Sequence, residues 1–99
     1  MYRYVISFGE LKKMQEKRSV IFVDVREPKS YQAGHVPGAS LIPYTEEQSF
    51  LEHFKKNDVI VLCCDRGNLS MRATMRMRRA GYSAYSLAGG YEGYRRLQK

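Results

Sequence analysis

Six consecutive residues, Val59-Ile60-Val61-Leu62-Cys63-Cys64, leave little choice about the middle of this fold. The run is apolar and starts β-branched, bounded by polar residues and too short for a buried helix. Such a run marks a strand covered on both faces, as in the interior of a parallel sheet. It passes into the polar loop Asp65-Arg66-Gly67-Asn68-Leu69, and the chain is predicted to re-emerge at Ser70 as a helix reaching Ala80. Met71, Thr74, Met77 and Ala80 are its expected inward residues, with Gly81 as its stop. Cys64 is therefore expected at the carboxyl end of a central strand, just upstream of a helix N-terminus. Open α/β sheets bind ligands there, and a helix start offers unpaired N–H groups and the positive end of its dipole. A thiolate is favoured in such surroundings, which makes Cys64 a candidate nucleophile. Side chains alternate along a strand, so Cys63 points the other way and reads as a small core hydrophobe.

The rest of the chain alternates strands with helices. Tyr2 to Ile6 reads as a short strand, and Ser7-Phe8-Gly9-Glu10 as a capping box opening a helix to Lys17, with Phe8, Leu11 and Met14 inward. Val20 to Val25 is a second apolar run, with Asp24, Arg26 and Glu27 clustered at its carboxyl end. Pro28 is placed to start a short helix that Gly34 ends. The turn-rich Gly34-His35-Val36-Pro37-Gly38-Ala39 leads to a brief strand at Leu41 and Ile42. Thr45 to Gln48 is a second capping-box candidate, before a helix with Phe50, Leu51 and Phe54 inward. Ala84 to Leu87 is the last strand, and a terminal helix carries Tyr91, Tyr94 and Leu97. This order predicts an α/β fold, a mostly parallel five-stranded sheet with helices on both faces, as one domain over residues 1–99.

Composition narrows the function classes. No apolar run approaches the roughly 20 residues of a membrane span, and no signal peptide is recognised. Two adjacent cysteines are a poor disulfide framework and match no zinc spacing, and His35 and His53 stand far from them. A reducing, cytoplasmic setting with no metal and no cofactor is the expectation. The net charge is +7, concentrated in the last third, where Arg72, Arg76 and Arg79 share one helical stripe. That stripe fits a solvated face, an anionic substrate or an acidic protein partner. Nucleic-acid binding lacks support, because a strand and not a first helix precedes the basic helix.

Five motifs in succession carry a resemblance. Asp24-Val25-Arg26-Glu27, Gly34-His35-Val36-Pro37-Gly38-Ala39, Cys64-Asp65-Arg66-Gly67-Asn68-Leu69-Ser70, Ala80-Gly81-Tyr82 and Leu87-Ala88-Gly89-Gly90 follow one another over nearly the whole chain. Taken together the sequence resembles a rhodanese domain. The resemblance implies a single-domain rhodanese-like fold and a thiosulfate-sulfurtransferase activity. Cys64 would take a sulfane sulfur from a small anionic donor such as thiosulfate, or from a persulfide, and pass it to cyanide, a thiol or a protein acceptor. Two displacements at one cysteine are covalent catalysis, and a thiolate needs no separate base.

The loop residues then acquire expected roles. Backbone N–H groups between Cys64 and Leu69 would wrap the sulfur as a nest wraps an anion. Gly67 lets the loop turn, Arg66 would orient the donor, and Ser70 would cap the following helix and donate toward the site. Asp24 and Arg26 resemble the family's aspartate–arginine pair near the site, and read more simply as a structural ion pair holding neighbouring strand ends together. His35 reads as a hydrogen-bonded turn residue. Leu69 and Tyr94 depart from the family, where a cation and a tryptophan are common; leucine removes a charge that would help hold thiosulfate. A phosphatase of similar architecture needs an arginine after five intervening residues, but Ser70 stands there after Cys64 and Leu69 after Cys63. The alternatives are a persulfide carrier or a non-catalytic binding module, docking through the basic surface.

Overall fold

The computed structural model describes residues 4–98. Tyr2 and Arg3, the start of the expected first strand, lie outside the described residues, and β1 is Val5–Ile6. The other strands are β2 (Ile21–Asp24), β3 (Ser40–Leu41), β4 (Val59–Cys63) and β5 (Ser83–Leu87). Between and after them run α1 (Phe8–Lys17), α2 (Pro28–Ala33), α3 (Gln48–Leu51), α4 (Asn68–Arg79) and α5 (Gly90–Leu97). The five strands form one sheet in the order β1-β5-β4-β2-β3. Every strand pairing is parallel, stricter than the mostly parallel sheet expected.

The apolar runs sit innermost because they alone can be covered twice. On one face, Val23, Ile60, Leu62 and Ala84 pack with Phe50, Leu51 and Phe54 and with Ala73 and Met77 of α4. On the other, Phe22, Val61 and Leu87 pack with Leu11 of α1 and with Tyr91 and Tyr94 of α5. Cys64 belongs to the first cluster and Cys63 to the second. The register aligns Asp24 with Cys63, so the ends of β2 and β4 are level. The chain leaves β2 toward the β3 edge and leaves β4 toward β5. The crevice between these two strand ends is thus the switch point where open α/β sheets bind ligands.

Local signals hold unevenly. The Ser7 box is complete, with Glu10 N donating to Ser7 Oγ at 3.0 Å and Ser7 N to the Glu10 carboxylate at 2.7 Å. The Thr45 box does not form. Thr45 Oγ1 accepts from Glu47 N at 3.3 Å, a local turn that competes with a cap, and α3 starts only at Gln48. Nor does Ser70 cap α4: the helix begins at Asn68, its N-cap is Gly67, and Ser70 lies inside the first turn. Gly67 has φ +113°, a conformation glycine adopts without penalty. The earlier start rotates the buried stripe to Ser70, Ala73, Thr74 and Met77, leaving Met71 partly exposed.

Candidate active site

Cys64 follows the last residue of β4 and is 3% exposed, yet it lines a cavity of about 650 Å³. Arg26, Glu27, Ser30, Asp65, Arg66, Asn68, Leu69 and Glu92 complete the wall. The Cys64 Sγ accepts N–H bonds from Gly67 and Ser70, each at 3.2 Å, and lies 3.4 Å from Ser70 Oγ. Both amides belong to the start of α4, where N–H groups have no partner within the helix. They converge on the one atom that carries charge when the thiol ionises.

The carbonyls of the same loop face away from the sulfur. Tyr91 N donates to Cys64 O at 2.8 Å and Glu92 N to Asp65 O at 2.9 Å, so the start of α5 takes up what the cradle turns outward. Gly90, at φ +57°, makes the approach possible: a Cβ there would stand 2.7 Å from Asp65 O and still closer to Cys64 O. Behind the thiol, Ser70 Oγ is 2.7 Å from Ser86 Oγ and donates within 3.3 Å of Gly67 O. Ser86 belongs to none of the expected site motifs. The available signal was a serine at an inward position of a strand, opposite a helix that also carries an inward hydroxyl.

The charged pair at the end of β2 is built into the frame. Arg26 binds Asp24 through Nε at 3.0 Å and through Nη2 at 2.7 Å, reaches Gly34 O at 2.7 Å, and bonds Asp65 through Nη1 at 3.0 Å. Its guanidinium lies 4.8 Å from the Tyr91 ring centroid, a cation–π contact. Asp24 is wholly buried, and its hydrogen bonds hold Arg26 even more firmly protonated than usual. Arg26 therefore ties β2, the turn after α2 and the cysteine loop together. Its charge is matched before any ligand arrives.

The expected site residues thus gather unevenly. Cys64, Gly67 and Ser70 form the cradle; Asp65, Arg66, Asn68 and Leu69 line the cavity; Asp24 lies beneath it through Arg26. Arg66 is exposed and has no partner among the described residues. His35 is a turn residue, stacked on Tyr31 at 3.8 Å, with Nδ1 2.9 Å from Tyr31 O. Tyr94 packs against Phe8, ring centroids 5.3 Å apart. Cys63 is buried on the opposite face, and burial followed by the nearby Asp24 charge pushes its thiol far above the ordinary range. Glu27, Ser30 and Glu92 are wall residues that carry no site role expected from the sequence. Among the described residues no helix is long and apolar enough to cross a membrane.

Sheet, crevice and cradle define a class: parallel α/β proteins that present one thiol, held by helix-start amides, at a topological switch point. The chain belongs to the rhodanese-like domain family, whose sequence pattern matches residues 7–97. It is 30% identical over 87 residues to a thiosulfate sulfurtransferase GlpE of Pseudoalteromonas translucida, which covers 87% of this chain and 83% of that protein. Among solved structures it is similar to a rhodanese-like domain protein from Staphylococcus aureus, at 32% identity and a TM-score of 0.76, covering 87% and 85% of the two chains. The human single-domain sulfurtransferase TSTD1 aligns at 27% identity and a TM-score of 0.73, over 99% of this chain and 98% of that one. At the level of the family, the chain is a rhodanese-type sulfurtransferase.

Proposed function

We propose that this protein transfers sulfane sulfur through a persulfide on Cys64. The observation that carries the reading is the cradle: two amides aim at a sulfur that opens on a cavity. The same amides serve a thiolate before transfer and a persulfide after it, because both are anions centred on sulfur. With thiosulfate as donor, the Cys64 thiolate attacks the outer sulfur. The new S–S bond forms as the old one breaks, and sulfite leaves with both negative charges. Attack by cyanide or a thiolate on the outer sulfur of the persulfide then releases thiocyanate or a new persulfide and restores the Cys64 thiolate. Arg66, without a partner among the described residues, is the side chain that meets an anionic donor at the rim.

A carrier exchanging sulfur between proteins would use the same persulfide. The exposed Arg79 favours that form, since the groove beside it also holds the part-exposed Met71 and Met75, with Arg72 3.5 Å from Glu46 at its edge. Arg76 is not part of that offer, because it donates to Thr45 O at 2.8 Å and Glu47 O at 3.1 Å.

Intact-mass spectrometry after brief exposure to thiosulfate, and separately to a polysulfide, tests the reading. The expected result is a gain of one sulfur atom, reversed by cyanide and absent in Cys64→Ser. A gain that persists in Cys64→Ser, or none with either donor, overturns it.

A further inference from the structure

The wall around Cys64 is unlike the chain as a whole. The protein carries net charge +7, yet three carboxylates, Glu27, Asp65 and Glu92, line the cavity against two guanidiniums, Arg26 and Arg66. Arg26 is already matched by Asp24 and Asp65. Glu27 is exposed, with no cation of its own among the described residues. Glu92 lies 3.5 Å from Arg95, but that pair is largely solvated and weakly held. The strongest anion-binding element, the start of α4, is aimed at Sγ itself. It serves the nucleophile's charge, so what the wall offers a second anion is the solvated Arg66 at the rim. At the loop end stands Leu69, which offers the cavity a hydrocarbon surface.

We propose that Glu27 and Glu92 make this cavity a charge filter, which disfavours a dianionic donor and admits organic persulfides whose retained part is neutral or cationic. The proposal rests on the persulfide reading of Cys64 and names its donor class. In the step, the Cys64 thiolate attacks the outer sulfur of R–S–SH. The Cys64 S–S bond forms, the donor S–S bond breaks, and RS⁻ leaves to take a proton from solvent. The leaving thiolate carries one charge where sulfite carries two. An ammonium on R would lie among the carboxylates and a methylene chain against Leu69.

The test measures rates of Cys64 loading with three donors: thiosulfate, the persulfide of mercaptoethanol and the persulfide of cysteamine. Each is compared between the wild type and the double variant Glu27→Gln, Glu92→Gln, so that intrinsic donor reactivity cancels. Neutralising two carboxylates should raise loading by thiosulfate about tenfold and lower loading by the cysteamine persulfide several-fold, the scale of unit-charge interactions across a solvated cleft. The mercaptoethanol persulfide should change least. Glu27→Asp, Glu92→Asp should keep the wild-type discrimination, and thermal melting identifies any variant that has failed to fold. Equal changes for all three donors, or no change for any, overturn the filter while leaving the sulfur-transfer reading intact. No loading of the wild type by any donor overturns both.

Discussion

Cys63 and Cys64 are neighbours in sequence and opposites in everything the fold does to them. Cys63 ends β4 among Phe22, Val61 and Leu87, on the α1 and α5 side. Cys64 falls one position later, on the α3 and α4 side, and its sulfur meets the amides of Gly67 and Ser70. One residue of strand alternation thus separates a core side chain from a candidate nucleophile. Burial alone does not distinguish them, since both are almost wholly covered. What differs is the lining. Hydrocarbon raises the cost of charge on the Cys63 sulfur, whereas hydrogen-bond donors and an adjoining cavity surround that of Cys64.

The sharpest way to break this contrast is to exchange each sulfur for oxygen. Cys64→Ser should lose sulfur loading to background, while Cys63→Ser should keep most of it, read as persulfide formed per chain. Equal losses would mean that the two faces are not functionally distinct. Next comes the charged pair that both cysteines share, because Asp24 stands beside Cys63 on the neighbouring strand and supports the cysteine loop through Arg26. Asp24→Asn leaves a buried guanidinium with a neutral partner. Chemical denaturation should register a loss of about 3–5 kcal/mol, the usual result of breaking a buried pair. A loss under about 1 kcal/mol would show that the Asp65 bond already present holds the guanidinium without Asp24.

A smaller effect marks the burial of Cys63 by pH. Above the ordinary thiol value of about 8.5 the unfolded chain releases the Cys63 proton, whereas the folded chain retains it. The unfolded state then binds fewer protons, so stability falls as pH rises from that point. The fall should approach about 1.4 kcal/mol per pH unit at most, and Cys63→Ala should lack this component, as measured by melting between pH 8 and 10. The smallest expected change is at the rim. Arg66→Ala should raise the apparent KM for thiosulfate only a few-fold, because an exposed charge acts through screened solvent. An unchanged KM would assign donor contact to the backbone.

Most of the frame was legible because it follows from periodicity. Doubly covered strands, the Ser7 cap and the alternation that parts Cys63 from Cys64 are local properties, and the succession of motifs carried the family. Where residues from distant segments meet, the sequence was silent or misleading. The Thr45 hydroxyl chose a turn over a cap, and α4 started before Ser70, because glycine at 67 could take the left-handed conformation that ends the loop early. The Ser70–Ser86 contact joins a helix to a strand 16 residues away. Glu92 enters the wall because α5 folds back onto the cysteine loop. No pattern within either segment announces such a meeting.

That return of α5 also orders events in time. The carbonyls of Cys64 and Asp65 are taken up by Tyr91 and Glu92, residues synthesised well after the loop they anchor. While the ribosome is still extending the chain, the cysteine is already synthesised but its loop has no such anchor. A nascent chain that stops short of Gly90 would hold the cysteine loop without this anchor for its carbonyls. α5 thus works as a latch fastened after the loop it holds.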